Sequence, residues 1–127
     1  MQILRNIDIE DAVREALSDY VQAYCRPLPH KPVLPCILVQ RVGGSDTATI
    51  DTVEVILDSR AKTEAEADLT LRNAIGILRT IAARQTTPLR HITVNTSGSW
   101  GADPVRPDLA MCSARISVTA HLENAEV

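Results

Sequence analysis

The chain has 127 residues, and 45% of them are hydrophobic, which is enough for the core of one ordinary domain. Phe is absent, and one Trp with two Tyr supplies all the aromatic content, so Val, Ile, Leu and Ala must build the core and a base-stacking platform is not expected. The formal net charge of −3, with 13 basic residues scattered along the chain, argues against direct binding of a phosphate backbone. An acidic surface past which nucleic acid moves without adhering is compatible with this composition.

Cysteine usage and hydropathy point to a reducing compartment and away from a membrane. Cys25, Cys36 and Cys112 are odd in number, lack CxxC spacing and follow no signal peptide, so a cytosolic origin is expected. No stretch approaches the roughly 18 consecutive apolar residues that a membrane helix needs.

The first predicted element is a helix from about Ile9 to Tyr24. Asp8 is placed as its N-cap, and Glu10 and Asp11 suit the positive end of the helix dipole. One face carries apolar residues at helical spacing, namely Val13, Ala16, Leu17, Tyr20, Val21 and Tyr24.

A proline-rich segment follows. Each proline fixes φ and lacks an amide donor, so regular structure is interrupted at Pro27, Pro29, Pro32 and Pro35. Residues 26–35 are therefore predicted to be an extended connector, with a polyproline II ligand for another domain as the alternative. Cys25, His30 and Cys36 flank this segment, but their spacing fits no zinc-binding pattern.

A hairpin is predicted from Cys36 onward. The run from Cys36 to Val42 is apolar on both faces, which indicates a central strand or a strand covered by a neighbouring subunit. The turn is predicted at Gly43-Gly44-Ser45-Asp46. In the second strand Val53, Val55 and Leu57 point one way, with Thr52, Glu54 and Asp58 on the other face.

A second helix is predicted to begin at a capping box, Thr63-Glu64-Ala65-Glu66. Acidic residues come early in this helix and arginines come late, as the helix dipole prefers. Its buried stripe is expected to consist of Ala67, Leu71, Ala74, Ile75, Leu78, Ile81 and Ala82.

A second hairpin is predicted to complete the chain. Thr87-Pro88 stops the helix, and a short strand from His91 to Thr96 follows. Residues 97–108 are predicted to be a long loop, and Ala110 to Leu122 alternates as the clearest strand of the sequence. Residues 123–127 are expected to be a flexible C-terminus.

The predicted order is helix, hairpin, helix, hairpin, in a single domain that spans residues 1–127. This order predicts an α+β fold, a two-layer sandwich in which two helices pack on one face of a mixed sheet of about four strands.

No group of residues supports catalysis or a cofactor site. Cys112 and His121 lie about 30 Å apart along one strand and face opposite sides. Glu54 and Asp58 lie about 13 Å apart along a strand, too far for the carboxylate pair of a glycosidase, and a solvated strand face is the better interpretation. P-loop, GxGxxG and HExxH motifs are absent. We therefore expect no enzyme, no cofactor and no metal site.

Two features have both a structural and a binding interpretation. Trp100, alone among glycines and prolines, either packs its loop on its own domain or anchors an interface. Gly43-Gly44 either supplies positive φ for a hairpin turn or forms a turn that projects into a partner.

Several pieces of the sequence, taken in order, carry a resemblance to a known family. They are Val39-Gln40-Arg41-Val42-Gly43-Gly44, Thr52-Val53-Glu54-Val55, Thr63-Glu64-Ala65-Glu66-Ala67 with its long apolar helix, and Arg106-Pro107-Asp108 before a terminal strand that bears Arg115. In their order and spacing, from about residue 9 to 123, they resemble the tail terminator (tail completion, or minor tail) proteins of long-tailed bacteriophages.

The resemblance implies a structural subunit of the virion, made in the bacterial host cytoplasm, that forms a homo-oligomeric ring, usually of six copies. Such a ring closes the head-proximal end of the tail tube and sits at the head-tail junction. It contacts the tail tube protein and the head-completion or connector protein, and DNA passes through its lumen without sequence-specific binding. No membrane and no catalytic residues are implied.

The same resemblance suggests where subunits would meet. Its first hairpin turn and its long loop before the last strand correspond to the candidate interface residues Gly43, Gly44, Ser45, Asp46, Trp100, Asp103, Arg106 and Asp108.

Two other functions are compatible with the sequence. A homo-oligomeric small-molecule-binding protein would bury a pocket between sheet and helices. A protein-binding adaptor would use the Pro-rich segment.

Overall fold

The computed structural model describes residues 1–47, 49–104 and 106–127, and the side chains of these residues except 97–100 and 102. Two helices and seven strands occur in this part of the chain. In order they are β1 (Gln2–Arg5), α1 (Ile9–Ser18), β2 (Gln22–Cys25), β3 (Cys36–Asp46), β4 (Ile50–Ala61), α2 (Glu64–Arg84), β5 (Leu89–Ala102), β6 (Ala110–His121) and β7 (Glu123–Glu126).

The fold is α+β, as the sequence predicted, with two helices and a mixed sheet. The main sheet has five strands in the order β2-β3-β4-β6-β5, and β1 with β7 forms a separate two-stranded sheet. Only β2 and β3 run parallel, and the other neighbours are antiparallel. The main sheet has one strand more than the approximate four predicted, because β2 has only four residues, too few to show an alternating pattern. Residues 123–126, expected to be flexible, pair with β1.

Helix α1 begins where the sequence predicted and ends earlier. Asp8 caps it, and the Oδ1 of Asp8 accepts a hydrogen bond from the Asp11 N–H at 3.1 Å. The helix ends at Ser18, so its predicted continuation to Tyr24 was wrong. Residues 22–25 pair with β3 instead, and this long-range ladder overrides the local helical spacing. Residues 26–35 have no regular secondary structure.

The first predicted hairpin exists as β3 and β4, but its turn lies elsewhere. Strand β3 continues through residues 43–46, so the prediction of a turn there was wrong. A bulge shifts the register between Arg41 and Gly43, which leaves Val42 as the extra residue. The connection between the strands is residues 47–49, of which residue 48 lies outside the described part of the chain.

Position 44, next to this bulge, requires glycine for two reasons. Its φ is 149°, a left-handed value that favours glycine. A Cβ at this position would come within 2.4 Å of the Thr52 carbonyl oxygen on β4. Gly44 therefore serves close approach of two strands, not a turn.

Helix α2 confirms its predicted start. The Thr63 hydroxyl accepts a hydrogen bond from the Glu66 N–H at 3.2 Å, and the helix runs to Arg84. Gln85 ends it in the left-handed conformation, with φ of 56°. Ile81, predicted to belong to the buried stripe, is only half-buried.

Strand β5 is much longer than the predicted strand from His91 to Thr96. It continues to Ala102, so the predicted loop 97–108 shortens to 103–109. Register shifts interrupt its pairing with β6 around residues 90, 95 and 97–98. Each shift breaks the alternation that identifies a strand in the sequence, which is why the prediction stopped at Thr96.

One face of the main sheet and both helices share a buried cluster. Helix α1 packs on β2 and β3, and α2 packs on β4, β5 and β6. The cluster takes alternate residues of β4 and β6, as predicted, including Val53, Val55, Leu57, Cys112, Ala114, Ile116, Val118 and Ala120. The helices contribute Ile9, Val13, Leu17, Ala67, Leu71, Ala74, Ile75, Leu78 and Ala82.

Candidate functional site

The candidate interface residues fall into two groups at opposite ends of the main sheet. Asp46 lies opposite Asp51 at one end of β4, which we call the hairpin end. At the other end Ala61 pairs with Ala110, from which the loop 103–109 leads back to β5; we call this the loop end. Because β4 has 12 residues, its two ends are about 35 Å apart.

The hairpin end is exposed and acidic. Ser45 and Asp46 are exposed, and the Asn6 amide donates to the Asp46 carboxylate at 3.2 Å. Asp51, directly opposite Asp46, is only 2% exposed. Among the described residues its Oδ2 has no hydrogen-bond partner. Asp46 therefore offers an exposed carboxylate at this end, which favours a partner that brings positive charge or hydrogen-bond donors, whereas Asp51 is buried beside it.

The loop end is held in place by a buried ion pair that the sequence did not reveal. The Nε of Arg60 donates to the Asp103 carboxylate at 2.7 Å, and the two side chains are 10% and 4% exposed. Asp103 also accepts from the Arg106 N–H at 3.3 Å, and its own N–H donates to the Leu109 carbonyl at 3.3 Å. Asp103 is therefore an anchor beneath the surface, and its effect on any subunit contact is indirect.

Above this anchor the loop presents an exposed pair of opposite charges. The Arg106 guanidinium donates to the Asp108 carboxylate through two nitrogens, at 3.2 and 3.1 Å. The hydrogen bond from Arg106 lowers the pKa of Asp108, and the same bond raises the pKa of Arg106. Both groups therefore stay charged over a wide pH range, and a fixed dipole faces solvent.

Trp100 is placed only in part. Its backbone belongs to β5, opposite Cys112, and not to the predicted loop. Its side chain lies outside the described residues, so the choice between loop anchor and interface anchor stays a prediction.

The sheet face away from the helices carries a row of paired polar side chains. Asp58, predicted to be solvated, is 8% exposed and accepts hydrogen bonds from Gln40 and Ser113, each at 2.5 Å. Farther along, Arg115 lies 3.7 Å from Glu54. Only the cross-strand register, which the sequence pattern does not give, brings these residues together. The polar side chains of this row are thus paired with one another.

The cysteines show no reactive arrangement. All three are free thiols, and burial raises the pKa of each, so they stay protonated at neutral pH. Within residues 1–47, 49–104 and 106–127 no group of three or more His, Cys, Asp or Glu could hold a metal ion. No helix in the same residues is long and apolar enough to span a membrane.

Two adjoining clefts lie on the helical side of the molecule. Their volumes are about 430 and 450 Å³, and they share Tyr20, Ile81 and Arg84. Both open to solvent between the C-terminal ends of α1 and α2, with Tyr20 60% exposed. A small-molecule-binding protein was expected to have its pocket between the sheet and the helices. These two clefts do not lie there.

No protein-family model matches this chain, and no curated protein matches it.

Proposed function

We propose that the protein is a structural subunit of a bacteriophage virion. In this proposal its copies form a ring that terminates the tail tube and joins it to the head connector. The resemblance of the segments between residues 9 and 123 supports this function. One structural observation carries it further: the candidate interface residues form two groups toward opposite ends of β4, whose nearest members, Gly43 and Trp100, are about 17 Å apart along the strands.

A joint between two assemblies needs two different contact surfaces on one subunit. The hairpin end exposes Ser45 and Asp46, whereas the loop end is fixed by a buried ion pair and presents Arg106 and Asp108. The two ends differ in charge and in shape, so each suits a different partner. We assign one end to the tail tube protein and the other to the head-completion or connector protein.

The layered arrangement fits a ring subunit. We propose a two-layer arrangement in which both helices cover one sheet face. The opposite face carries the row of polar side chains around Asp58. The net charge of −3 limits adhesion of DNA that passes through the lumen. No catalytic residue, cofactor or metal ion enters the proposal.

Light scattering on the purified chain tests the ring. Six copies of the 13.8 kDa chain make a particle of about 80 kDa, and such a particle or a concentration-dependent polymer supports the proposal. A compact dimer that a metabolite stabilises against heat would instead favour the small-molecule-binding alternative. The Gly44→Ala variant tests whether the hairpin end takes part in assembly, because this change disturbs the hairpin end and Gly43→Ala does not.

A further inference from the structure

The main sheet ends in two edge strands, β2 and β5. Residues 22–25 read Gln-Ala-Tyr-Cys and residues 99–102 read Ser-Trp-Gly-Ala, without a charge or a proline. Lys, Pro and other charged side chains are the usual means of keeping an exposed edge from pairing with another chain. The two segments are therefore able to accept a further strand.

Backbone pairing leaves both segments free on their outer side. Apart from the ladder with β3, residues 22–25 make no backbone–backbone hydrogen bond to another described residue, and residues 99–102 make none apart from the ladder with β6. The proline-rich connector contacts β2 through the Val33 N–H, which donates to the Tyr24 hydroxyl at 3.1 Å. This bond uses a side chain and leaves the strand backbone available.

The two edge segments lie at the same level of the sheet. Following the register across all five strands gives one line through Gln22, Cys36, Arg60, Met111 and Gly101. The next line runs through Ala23, Ile37, Ser59, Cys112 and Trp100. The four-residue edge β2 is thus aligned with the last regular run of β5, across the width of the molecule.

The directions of the two edges also match. Strands β2 and β3 run parallel, and each of the next three neighbours reverses direction, so β5 is antiparallel to β2. A second copy that continues the sheet would therefore place its β2 antiparallel to β5 of the first. Antiparallel pairing is the more frequent kind of strand pairing.

We propose that copies of this chain join edge to edge, with β2 of one copy paired to residues 99–102 of β5 in the next. This proposal rests on the proposed ring and names the contact that closes it. A head-to-tail contact uses two different surfaces of the same subunit and gives a closed ring if rotation alone relates the copies, or a filament if a shift along the axis accompanies it. Because the two edges are level, the strand register adds no offset along the strands from one copy to the next.

Disulfide trapping tests the contact. In a Cys25→Ser background, Gln22→Cys and Gly101→Cys place two thiols on the same line of the sheet at opposite edges. Gln22 is exposed, and a Cβ at Gly101 meets no atom within 4 Å, so both changes are tolerable. Directly opposed residues of adjoining strands have Cβ atoms about 5 Å apart, which is close to disulfide range.

A displaced pair is the matched control. Thr93, also exposed on β5, lies opposite Ser117, whereas Gly101 lies opposite Met111. Gln22→Cys with Thr93→Cys therefore moves the second thiol about 20 Å along the same edge. On mild oxidation we expect covalent ladders that end at a closed species for the Gln22/Gly101 variant and only background cross-linking for the control.

The outcomes separate this contact from the ring itself. Oligomers that light scattering detects, but that the Gln22/Gly101 variant does not cross-link, would overturn the edge contact and leave the ring standing. Equal cross-linking of both double variants, or dimers from Gly101→Cys alone, would overturn it in favour of another register or a two-fold pairing of β5 edges. A chain that stays monomeric at every concentration would overturn it as well, and the place in the virion would then be judged by imaging alone.

Discussion

At Gly44 the prediction from the sequence and the structure differ most clearly in the role of the residue. The sequence suggests a turn, yet the structure uses the glycine to let β3 approach β4 beside a bulge. Bulges re-aim the strand that contains them, so Gly44 determines where the exposed hairpin end points. Its role is steric, and it lies within a few residues of candidate interface residue Asp46.

Replacing Gly44 with alanine is expected to destabilise the fold. The new Cβ would lie 2.4 Å from the Thr52 carbonyl oxygen, and the φ of 149° is strained for any side chain. We expect a loss of about 2 kcal/mol or more in the free energy of unfolding, measured by urea denaturation. Gly43→Ala is the control, because nothing lies within 4 Å of its Cβ. Equal losses for the two variants would contradict this role of Gly44.

Arg60 and Asp103 are expected to behave as a unit. Each is nine-tenths or more buried, so Arg60→Met leaves a buried carboxylate without its partner and costs about 3 to 5 kcal/mol of stability. The double variant Arg60→Met, Asp103→Leu removes both charges and should recover much of this loss in chemical denaturation.

The exposed pair at the same end supplies the comparison. Arg106→Met removes an ion pair of the same kind that water already solvates, so no measurable change in stability is expected. If Arg106→Met destabilised the protein as much as Arg60→Met, or if the double variant were no better than Arg60→Met alone, the buried pair would not be the anchor of the loop.

At the scale of elements, Glu10 links α1 to the segments on either side of the connector. Its carboxylate accepts from the Arg26 guanidinium at 3.2 Å and from the Arg41 N–H at 3.3 Å. Burial alone would raise the pKa of Glu10, but these hydrogen bonds together lower it below its ordinary value of 4.5. The charged carboxylate is therefore the form that the fold favours.

The sign of this shift predicts an acid-sensitive contribution to stability. A carboxyl whose pKa is lower in the folded state stabilises the fold above its ordinary pKa, and that stabilisation is lost as the pH falls through the folded value. Glu10→Gln should therefore be less stable than the natural chain at pH 7, with a difference that shrinks below about pH 4.5. Thermal unfolding across pH measures it, with Glu15→Gln on the exposed side of α1 as control. A difference that did not change with pH would contradict the assignment.

The elements that the sequence predicted are those with a sustained local signal. Helix α2 has an N-cap and about six turns of consistent apolar spacing, with acidic residues early and arginines late. Strand β6 alternates over its whole length, so both elements appear where expected. The end of α1 was missed because residues 20–24 keep helical spacing, whereas residues 22–25 form a strand by pairing with β3. Strand β5 was missed beyond Thr96 because register shifts erase its alternation.

The candidate site was less predictable than the fold. Asp103 was named for its place in a loop, yet its partner Arg60 is 43 residues away in the chain and no local pattern joins them. The same holds for Asp58 with Gln40 and Ser113, whose contact depends on two separate strand registers. Local spacing identifies elements, whereas long-range register decides which side chains meet.

At the scale of the whole molecule, three features point toward assembly. The two ends of the sheet carry different candidate surfaces, the sheet edges are level, and one sheet face carries a row of paired polar side chains. The edges would join copies around a ring, and the ends would contact what lies above and below it. These separate roles of the sheet edges and the sheet ends are the central claim of the proposed function.

The most direct measurement is the position of this chain in an assembled virion. Electron cryomicroscopy of particles that carry the chain should show it as a ring at the head-tail junction, with the hairpin end and the loop end facing different neighbours. Finding the chain elsewhere in the particle, or free in cells that carry neither a phage nor a prophage, would contradict the proposed function.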